Sequence, residues 1–297
     1  MIIEKIGLIS PGEMGGAVGG ALHANGFDVM CCLAGRGEET RERAERLGLR
    51  DVPDLQTMLL EADLMLCIMP PEFGPATADA VAAAMKSSGA TPPFAECNAV
   101  APETSRSMAA VIKAAGAVYI DAGIVGSPPG KGSGPRFYVS GPEASLMDEL
   151  DGKGIFVRQS GPEVGRGSAL KMCYAAVTKG TGALHTAVLV AAESLGISEE
   201  LHAEFKDSIP DMFQRMERMV PGLPAVSGRY IGEMKEIAKT MADAGVTPNF
   251  HVGATELYEL LVQTPFAAES RDTMDKSRTM VQSVEAFAKF APVKPAE

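Results

Sequence analysis

Short apolar runs alternate with helical stretches along the first half of the chain. The apolar runs have the length of β-strands, and they cover residues 2–9, 27–33, 63–69, 93–98, 117–122, 136–140 and 154–161. The helical stretches between them cover residues 15–25, 38–47, 76–87 and 102–115. Because strands that alternate with helices at this spacing form parallel sheets, we predict an α/β domain with a doubly wound parallel sheet.

The pattern changes near residue 163, after which strand signals nearly disappear. Long helical stretches follow, separated by breaks rich in Gly and Pro, and they cover residues 168–195, 199–220, 231–245, 249–263 and 270–290. We therefore predict a Rossmann-like domain at 1–162, followed by an all-α domain at 163–297. A chain of 297 residues is long enough for two domains of this size.

Composition and charge argue against several classes of function. The formal net charge of −11 disfavours nucleic acid or an anionic membrane surface as the main partner. The five cysteines form no CxxC pair and four of them lie in apolar runs, which predicts buried free thiols and a reduced, cytoplasmic location. No apolar run reaches the roughly 18 residues of a membrane span, and we predict no metal site.

A glycine-rich turn follows the first strand, in the stretch IGLISPGEMGGAVGGAL at 6–22. Gly12 and Gly15 occupy the second and third positions of the dinucleotide fingerprint G-x-G-x-x-G, whereas Ser10 stands at the first. Backbone N–H groups in such a turn approach a pyrophosphate, and the helix N-terminus adds positive potential. Proline fixes φ, so we expect Pro11 to stiffen the turn. A plain strand–helix turn is the alternative.

The loop after the second strand indicates which nicotinamide cofactor is bound. Arg36 lies in this loop, and no acidic residue precedes Glu38. Because an acid there binds the ribose of NAD and an Arg accommodates the phosphate of NADP, we predict NADP(H), with NAD as the alternative. The other interpretation is that Arg36, Arg41 and Arg43 form a solvated helix face. We assign the cofactor site to Ser10, Pro11, Gly12, Glu13, Met14, Gly15, Arg36, Met69, Pro70 and Asn98.

Four segments, spread over nearly the whole chain, resemble the β-hydroxyacid dehydrogenase superfamily. They are GLISPGEMG at 7–15, ECNAVAPETS at 96–105, DAGIVGSPPG at 121–130 and GRGSALKMCYAA at 165–176. This superfamily includes 3-hydroxyisobutyrate and 6-phosphogluconate dehydrogenases and is related to imine reductases. The stretch 232–261 resembles a branch whose C-terminal helical domain has no known function. The resemblance implies an oxidoreductase and a homodimer with interlocked helical domains.

The resemblance also implies that Lys171, on the long helix after the Rossmann-like domain, is the general acid/base. Its ammonium would protonate a carbonyl oxygen as hydride arrives, or hold the developing alkoxide. The substrate end departs from the family. The family's Asn four residues after the lysine is Ala175 here. Where its carboxylate loop has a serine and two glycines, this chain has Val125, Gly126 and Ser127, and Gly232-Glu233 stands in place of its Lys-Asp pair.

Helical spacing offers substitutes for the missing polar groups. Thr178 and Tyr174 lie about 20° and 60° from Lys171 around the helix, so we predict that they share its pocket. We assign catalytic roles to Lys171, Asn98 and Tyr174. The alternative for Asn98 is a cap on the next turn, and for His251 a helix cap. We assign substrate contacts to Gly126, Ser127, Thr178 and His251.

These observations favour an NADP(H)-dependent oxidoreductase that transfers hydride between nicotinamide and a small alcohol/carbonyl substrate of the β-hydroxyacid type. One alternative is an imine reductase-like enzyme, since the carboxylate loop is rewritten, although the retained Lys171 favours carbonyl chemistry. The other is a catalytically disabled nucleotide-binding or sensing protein, which Ala175 and Val125 motivate. The expected partners are a small-molecule substrate and a second copy of the chain, and neither nucleic acid nor membrane.

Overall fold

A computed structural model of the chain describes residues 2–270 and 273–291. The chain forms two compact units, Met1–Tyr174 and Ala175–Glu297. The division lies inside the long helix Arg166–Leu195, which begins in the first unit and ends in the second. The predicted domain boundary at 162/163 lies before this helix begins.

The first unit contains an eight-stranded sheet in the order β3-β2-β1-β4-β5-β6-β7-β8. Its strands are β1 (Lys5–Ile9), β2 (Asp28–Cys31), β3 (Arg50–Asp51), β4 (Leu64–Cys67), β5 (Phe94–Glu96), β6 (Tyr119–Val125), β7 (Arg136–Ser140) and β8 (Phe156–Gln159). Neighbouring strands are parallel except β6 and β7, which are antiparallel. The prediction of a parallel sheet is corrected at this pairing. A loop without a crossover helix joins β6 to β7, and it turns the chain back on itself.

Five α-helices of the described chain lie between the strands of this sheet, and the doubly wound α/β prediction is confirmed. They are α1 (Glu13–Ala24), α2 (Glu38–Arg46), α3 (Leu55–Glu61), α4 (Gly74–Ser88) and α5 (Pro102–Ala114). Strand β3 and helix α3 were not predicted from the sequence, and they have only two and seven residues. Segments of that length are too short to show a period of 2 or 3.6.

Both faces of the sheet are buried. One face packs in a cluster around Leu8, Ile120 and Phe137, and the other in a cluster around Met65 and Phe94. Strands covered on both faces read as continuous apolar runs rather than alternating ones, which is why the central strands were recognisable in the sequence.

The described residues of the second unit form helices and connecting loops, with no strand among them. After the long helix α6 (Arg166–Leu195) come α7 (Ser198–Ser208), α8 (Pro210–Met219), α9 (Pro224–Asp243), α10 (Asn249–Leu261) and α11 (Met280–Ala288). None of the helices in 2–270 and 273–291 combines the length and apolarity needed to cross a membrane.

Three predicted helices of this unit differ from the structure by more than two residues at one end or in the middle. The predicted helix 199–220 is two helices, because Pro210 has no N–H to donate and begins a new helix. Helix α9 begins at Pro224, seven residues before the predicted start at 231. The predicted helix 270–290 is shorter, because Thr279 and Gln282 form a capping box that begins α11 at Met280. Residues 271–272 of that prediction lie outside the described residues.

Candidate active site

The glycine-rich turn connects β1 to α1, as predicted. Ser10 has a φ of 68°, in the left-handed region that glycine adopts freely and other residues rarely adopt. Its carbonyl oxygen accepts a hydrogen bond from Gly12 N at 2.8 Å. The serine therefore takes the backbone conformation for which the fingerprint uses a glycine, so the turn is intact although its first residue differs.

Helix α1 begins close to the ends of two strands. A Cβ on Gly15 would collide with Ser10 O and lie 3.2 Å from Ile68 O, the residue just after β4. Gly12 is the N-cap of α1 and brings no side chain to the helix end. The first-turn N–H groups of α1 therefore form a backbone cradle of the kind that binds a pyrophosphate.

The loop after β2 carries charges of both signs. Arg36 is exposed, and its carbonyl oxygen accepts a hydrogen bond from Arg41 Nε at 3.0 Å. The Asp51 carboxylate accepts a hydrogen bond from Leu33 N at 2.9 Å, so β3 brings an acid to this loop. Asp51 was not predicted from the sequence as a residue of this loop, because its strand is only two residues long.

Asn98 joins the loops that follow β4 and β5. It is 3% exposed, its Oδ1 accepts a hydrogen bond from Met69 N at 2.6 Å, and its Nδ2 donates to Cys67 Sγ at 3.6 Å. Both polar atoms of the side chain are therefore engaged within the protein. This geometry favours Asn98 as a link that shapes the loop carrying Met69 and Pro70, rather than as a group that takes part in the chemistry.

Glu96 is a buried acid that the sequence analysis did not single out. It ends β5 in register with Cys67 and Asp121, and its side chain is 1% exposed. Its Oε1 accepts a hydrogen bond from Asn98 N at 3.0 Å, while Oε2 has no partner among the described residues. Burial raises the pKa of Glu96 to about 8, so this carboxyl is neutral at neutral pH. An acid inside the apolar run FAEC was the available signal.

Lys171 lies over strand β6. A Cβ on Gly123 would lie 2.6 Å from Lys171 Cβ and would also collide with Gly167 O. The glycine therefore allows α6 to approach the strand closely, and the half-buried Lys171 sits near the carboxyl end of β6. Ligands of open α/β sheets collect at this edge. Tyr174 is 46% exposed, whereas Ala175, at the family's asparagine position, is buried.

Asp121, also missed from the sequence, connects β6 to the start of α6. Ser105 Oγ donates to Oδ1 at 2.7 Å, and Ser168 Oγ donates to the same oxygen. Oδ2 accepts from Ser140 Oγ at 2.8 Å, from Gly165 N at 3.1 Å and from Ser168 N at 3.0 Å. Asp121 is fully buried, and these five donors surround its carboxylate.

The loop that follows β6 contains the predicted substrate residues Gly126 and Ser127. Gly126 has a φ of 114°, and a Cβ there would lie 2.5 Å from Gly134 O, so only glycine fits this fold-back of the loop. Ser127 is exposed. The loop begins at the carboxyl end of the strand that underlies Lys171.

The other two predicted substrate residues, Thr178 and His251, belong to the helical unit. The His251 side chain is buried, burial lowers its pKa, and its Nδ1 has no partner within the described ranges. A Cβ on Gly180 would lie 3.1 Å from His251 Nε2. His251 therefore packs against α6. The N-cap of α10 is Pro248, so His251 does not cap this helix.

A buried ion pair in the same unit joins Lys179 to Glu233. The Lys179 ammonium also lies 4.4 Å from the centre of the Tyr230 ring, and the Tyr258 hydroxyl donates to Lys179 O at 2.8 Å. Glu233 stands where the resemblance expects the acid of a Lys-Asp pair. Its lysine partner comes from α6 instead of the adjacent position.

Two family models match the chain. Residues 5–150 match the NAD binding domain of 6-phosphogluconate dehydrogenase, and residues 192–261 match DUF1932, a domain of unknown function. A relative from Methanothermus fervidus, described as an uncharacterized 28.5 kDa protein in the 7S RNA 5′ region, is 25% identical over 245 residues. The aligned part covers 82% of this chain and 93% of the relative. The matches confirm the predicted domain combination.

Solved structures establish the same fold. Mycobacterium tuberculosis 3-hydroxyisobutyrate dehydrogenase with L-serine has a TM-score of 0.68 at 18% identity, covering 98% of this chain and 100% of that one. An imine reductase from Myxococcus stipitatus in complex with NADP+ has a TM-score of 0.55 at 17% identity, covering 87% and 93%.

Proposed function

We propose that this chain, in which an NAD binding domain of the 6-phosphogluconate dehydrogenase type precedes a DUF1932 domain, is an NADP(H)-dependent oxidoreductase. It would transfer hydride between nicotinamide and a small alcohol/carbonyl substrate of the β-hydroxyacid type. One observation carries the proposal. Lys171 lies over β6 at Gly123, in the unit that also holds the glycine-rich turn, and both belong to the carboxyl edge of one sheet.

The glycine-rich turn is proposed to bind the cofactor pyrophosphate. Backbone N–H groups from Gly12 to Gly15 would donate to its oxygens, and the positive end of α1 would attract its charge. Met69 and Pro70, held by Asn98, would border the cofactor after β4. When bound, NADP(H) supplies or accepts the hydride.

Arg36 is proposed to select NADP(H) over NAD(H). The nearby Asp51 would have the opposite effect. An exposed guanidinium can pair with the extra phosphate, whereas an acid favours a free ribose. Titration of NADPH and NADH by fluorescence tests this. Arg36→Ala should weaken NADPH binding about tenfold, the effect of roughly 1.4 kcal/mol, and leave NADH binding unchanged. Equal losses for the two cofactors would exclude this role for Arg36.

Lys171 is proposed as the general acid/base, with Tyr174 as an added hydrogen-bond donor to the substrate. Gly126 and Ser127 would contact the substrate after β6, and Thr178 and His251 are proposed contacts from the helical unit. The polar groups of Asn98 are already engaged, so we propose that Asn98 supports the cofactor loop and does not transfer a proton.

The deciding experiment screens NADPH and NADH against aldehydes, ketoacids and imines, followed by Lys171→Met. General acid–base catalysis contributes about 10²–10⁴-fold, so turnover should fall by that factor while NADPH binding changes less than about twofold. Lys113→Met, at the exposed end of α5, is the matched control and should keep full activity. Full turnover by Lys171→Met contradicts the proposal.

Imine reduction is the second candidate, because an imine reductase shares the fold. Turnover confined to the imine panel would favour it. A nucleotide-sensing protein is the third, since Ala175 and Val125 bring buried apolar groups where the family has polar ones. Tight NADPH binding without hydride transfer across the panel would support it.

A homodimer in the cytoplasm is also part of the proposal. Val177, Leu184, Val188 and Leu195 are exposed and recur on one face of α6 at spacings of seven, four and seven. A second copy of the chain would cover this apolar stripe. Light scattering should give twice the mass of one 31.1 kDa chain, and Leu184→Glu should return it to one. The cytoplasmic location rests on the five free cysteines.

A further inference from the structure

Asp121 contacts the part of α6 that precedes Lys171. The first N–H groups of a helix have no partner within the helix, and a negative charge near them is stabilising. At the start of α6, Gly165 N and Ser168 N donate to Asp121 Oδ2, at 3.1 and 3.0 Å. Gly167 N donates to Ser140 Oγ at 3.1 Å. Side chains from β6 and β7 thus cap α6 from outside the helix.

The same contacts fix where Lys171 lies. Asp121 and Gly123 are two residues apart on β6 and so face the same side of the sheet. Ser168 and Lys171 are three residues apart on α6, one turn along one face. Asp121 binds Ser168 while Gly123 meets the Lys171 stem, so strand and helix are joined at two successive points.

The hydrogen bonds of Asp121 leave the start of α6 little freedom to move. Oδ1 accepts from two hydroxyls, and Oδ2 accepts from one hydroxyl and two backbone N–H groups. A carboxylate with five donors resists both translation of the helix along its axis and rotation about it. An asparagine at this position offers one acceptor oxygen and two N–H donors, so it cannot accept the same five bonds.

We propose that Asp121 is the positioning residue for Lys171: its carboxylate holds the first turn of α6 so that the lysine lies over Gly123. Asp121 does not touch the reacting atoms and acts only through the helix. The consequence for turnover rests on the proposed function, whereas the effect on the place of Lys171 does not.

The test measures Lys171 directly. Each variant is treated with a limiting amount of the N-hydroxysuccinimide ester of acetic acid, and acetylation of Lys171 relative to the exposed Lys113 is read by peptide mass spectrometry. In Asp121→Asn, the released helix start should open more often, and the ratio should rise by about threefold or more. Ser168→Ala leaves Asp121 in place and removes one of its five donors, so it should give a smaller rise. This variant secures the test if Asp121→Asn does not fold.

Two controls separate positioning from a general loss of stability. Asp151→Asn makes the same chemical change at a carboxylate that accepts from Val157 N, away from α6. Ile120→Ala destabilises β6 at the adjacent buried residue, which packs in the cluster on one sheet face with Phe137. Both should leave the ratio unchanged within about 1.5-fold, because neither releases the start of α6.

The outcomes are distinct. An unchanged ratio in Asp121→Asn, or an equal rise in Ile120→Ala, overturns the positioning role. If the ratio rises as expected, kcat should fall about tenfold or more with NADPH binding within twofold, since misplacement affects the chemical step. A raised ratio together with full turnover of Lys171→Met would sink the proposed function and leave the positioning role standing.

Discussion

Replacing Glu96 by Gln should make the first unit more stable at neutral pH. Burial raises the pKa of Glu96 from its ordinary 4.5 to about 8 in the folded chain. Between these values the folded chain keeps a proton that the unfolded chain releases. The free energy of unfolding therefore falls as pH rises from 4.5 to 8, and the loss is complete above pH 8. Gln cannot ionise, so the variant lacks this loss.

The magnitude follows from the width of that window. One pKa unit corresponds to about 1.4 kcal/mol, so between pH 5 and pH 7 the Glu96 contribution amounts to about 3 kcal/mol. Solvent screens the Glu96 charge little, because the side chain is 1% exposed. In the described part of the chain, Oε2 has no hydrogen-bond partner. The Gln side-chain oxygen can still accept the hydrogen bond from Asn98 N, which keeps the loop connection.

The assay is urea unfolding at pH 5, 7 and 8. Because the chain has two units, unfolding of the first is followed by brief thiol labelling of Cys67 and Cys97, which are buried there, at one fixed pH. Glu45→Gln, on the exposed face of α2, is the matched control and should show no such change. If the difference between wild type and Glu96→Gln is the same at pH 5 and pH 7, Glu96 titrates normally and the reasoning fails.

Three further predictions follow from the geometry. Ser10→Gly should raise the free energy of unfolding by about 0.5–1 kcal/mol in urea titrations, because glycine adopts a φ of 68° without strain; a decrease would show that the Ser10 side chain stabilises the turn. Gly123→Ala should lower the melting temperature and reduce the free energy of unfolding by about 1–3 kcal/mol, because a methyl group there pushes α6 away from β6. The same variant should raise the acetylation of Lys171. An unchanged melting temperature and unchanged acetylation would refute the close contact. Glu233→Gln should destabilise the helical unit by about 3 kcal/mol, because the negative charge facing Lys179 is removed, and Glu233→Leu combined with Lys179→Met should recover most of it. Calorimetry measures both variants, and equal losses would argue against a buried ion pair.

The sequence allowed the α/β architecture to be predicted because the central strands are buried on both faces. Strand β7 was predicted with its observed bounds, 136–140. The doubled helix at Pro210 was missed because the apolar spacing continues through the proline, although the backbone does not. The antiparallel pairing of β7 depends on the route of the loop after β6, which no local pattern encodes.

The part of the candidate site that could be predicted from the sequence is the part where the backbone geometry requires glycine. Gly12 and Gly15 indicated the phosphate turn, and their spacing identified Ser10 as the residue in place of the first glycine. That a serine adopts a positive φ there was not foreseeable, because residues other than glycine rarely adopt the left-handed conformation. Gly15, in the first turn of α1, leaves room for the Ser10 carbonyl oxygen in this conformation.

Glu96 and Asp121 show most clearly what the sequence does not contain. The two acids stand in register on neighbouring strands, and both are fully buried in apolar runs. Asp121 accepts five hydrogen bonds, from groups as far as 47 residues away, whereas Glu96 accepts one from a backbone N–H and its Oε2 has no hydrogen-bond donor among the described residues. Burial without such donors favours the protonated form of a carboxyl, as it does at Glu96. Two carboxyl side chains, 25 residues apart in the chain, thus have different roles: Asp121 fixes the start of α6, and Glu96 carries a proton that it releases as the pH rises through its pKa.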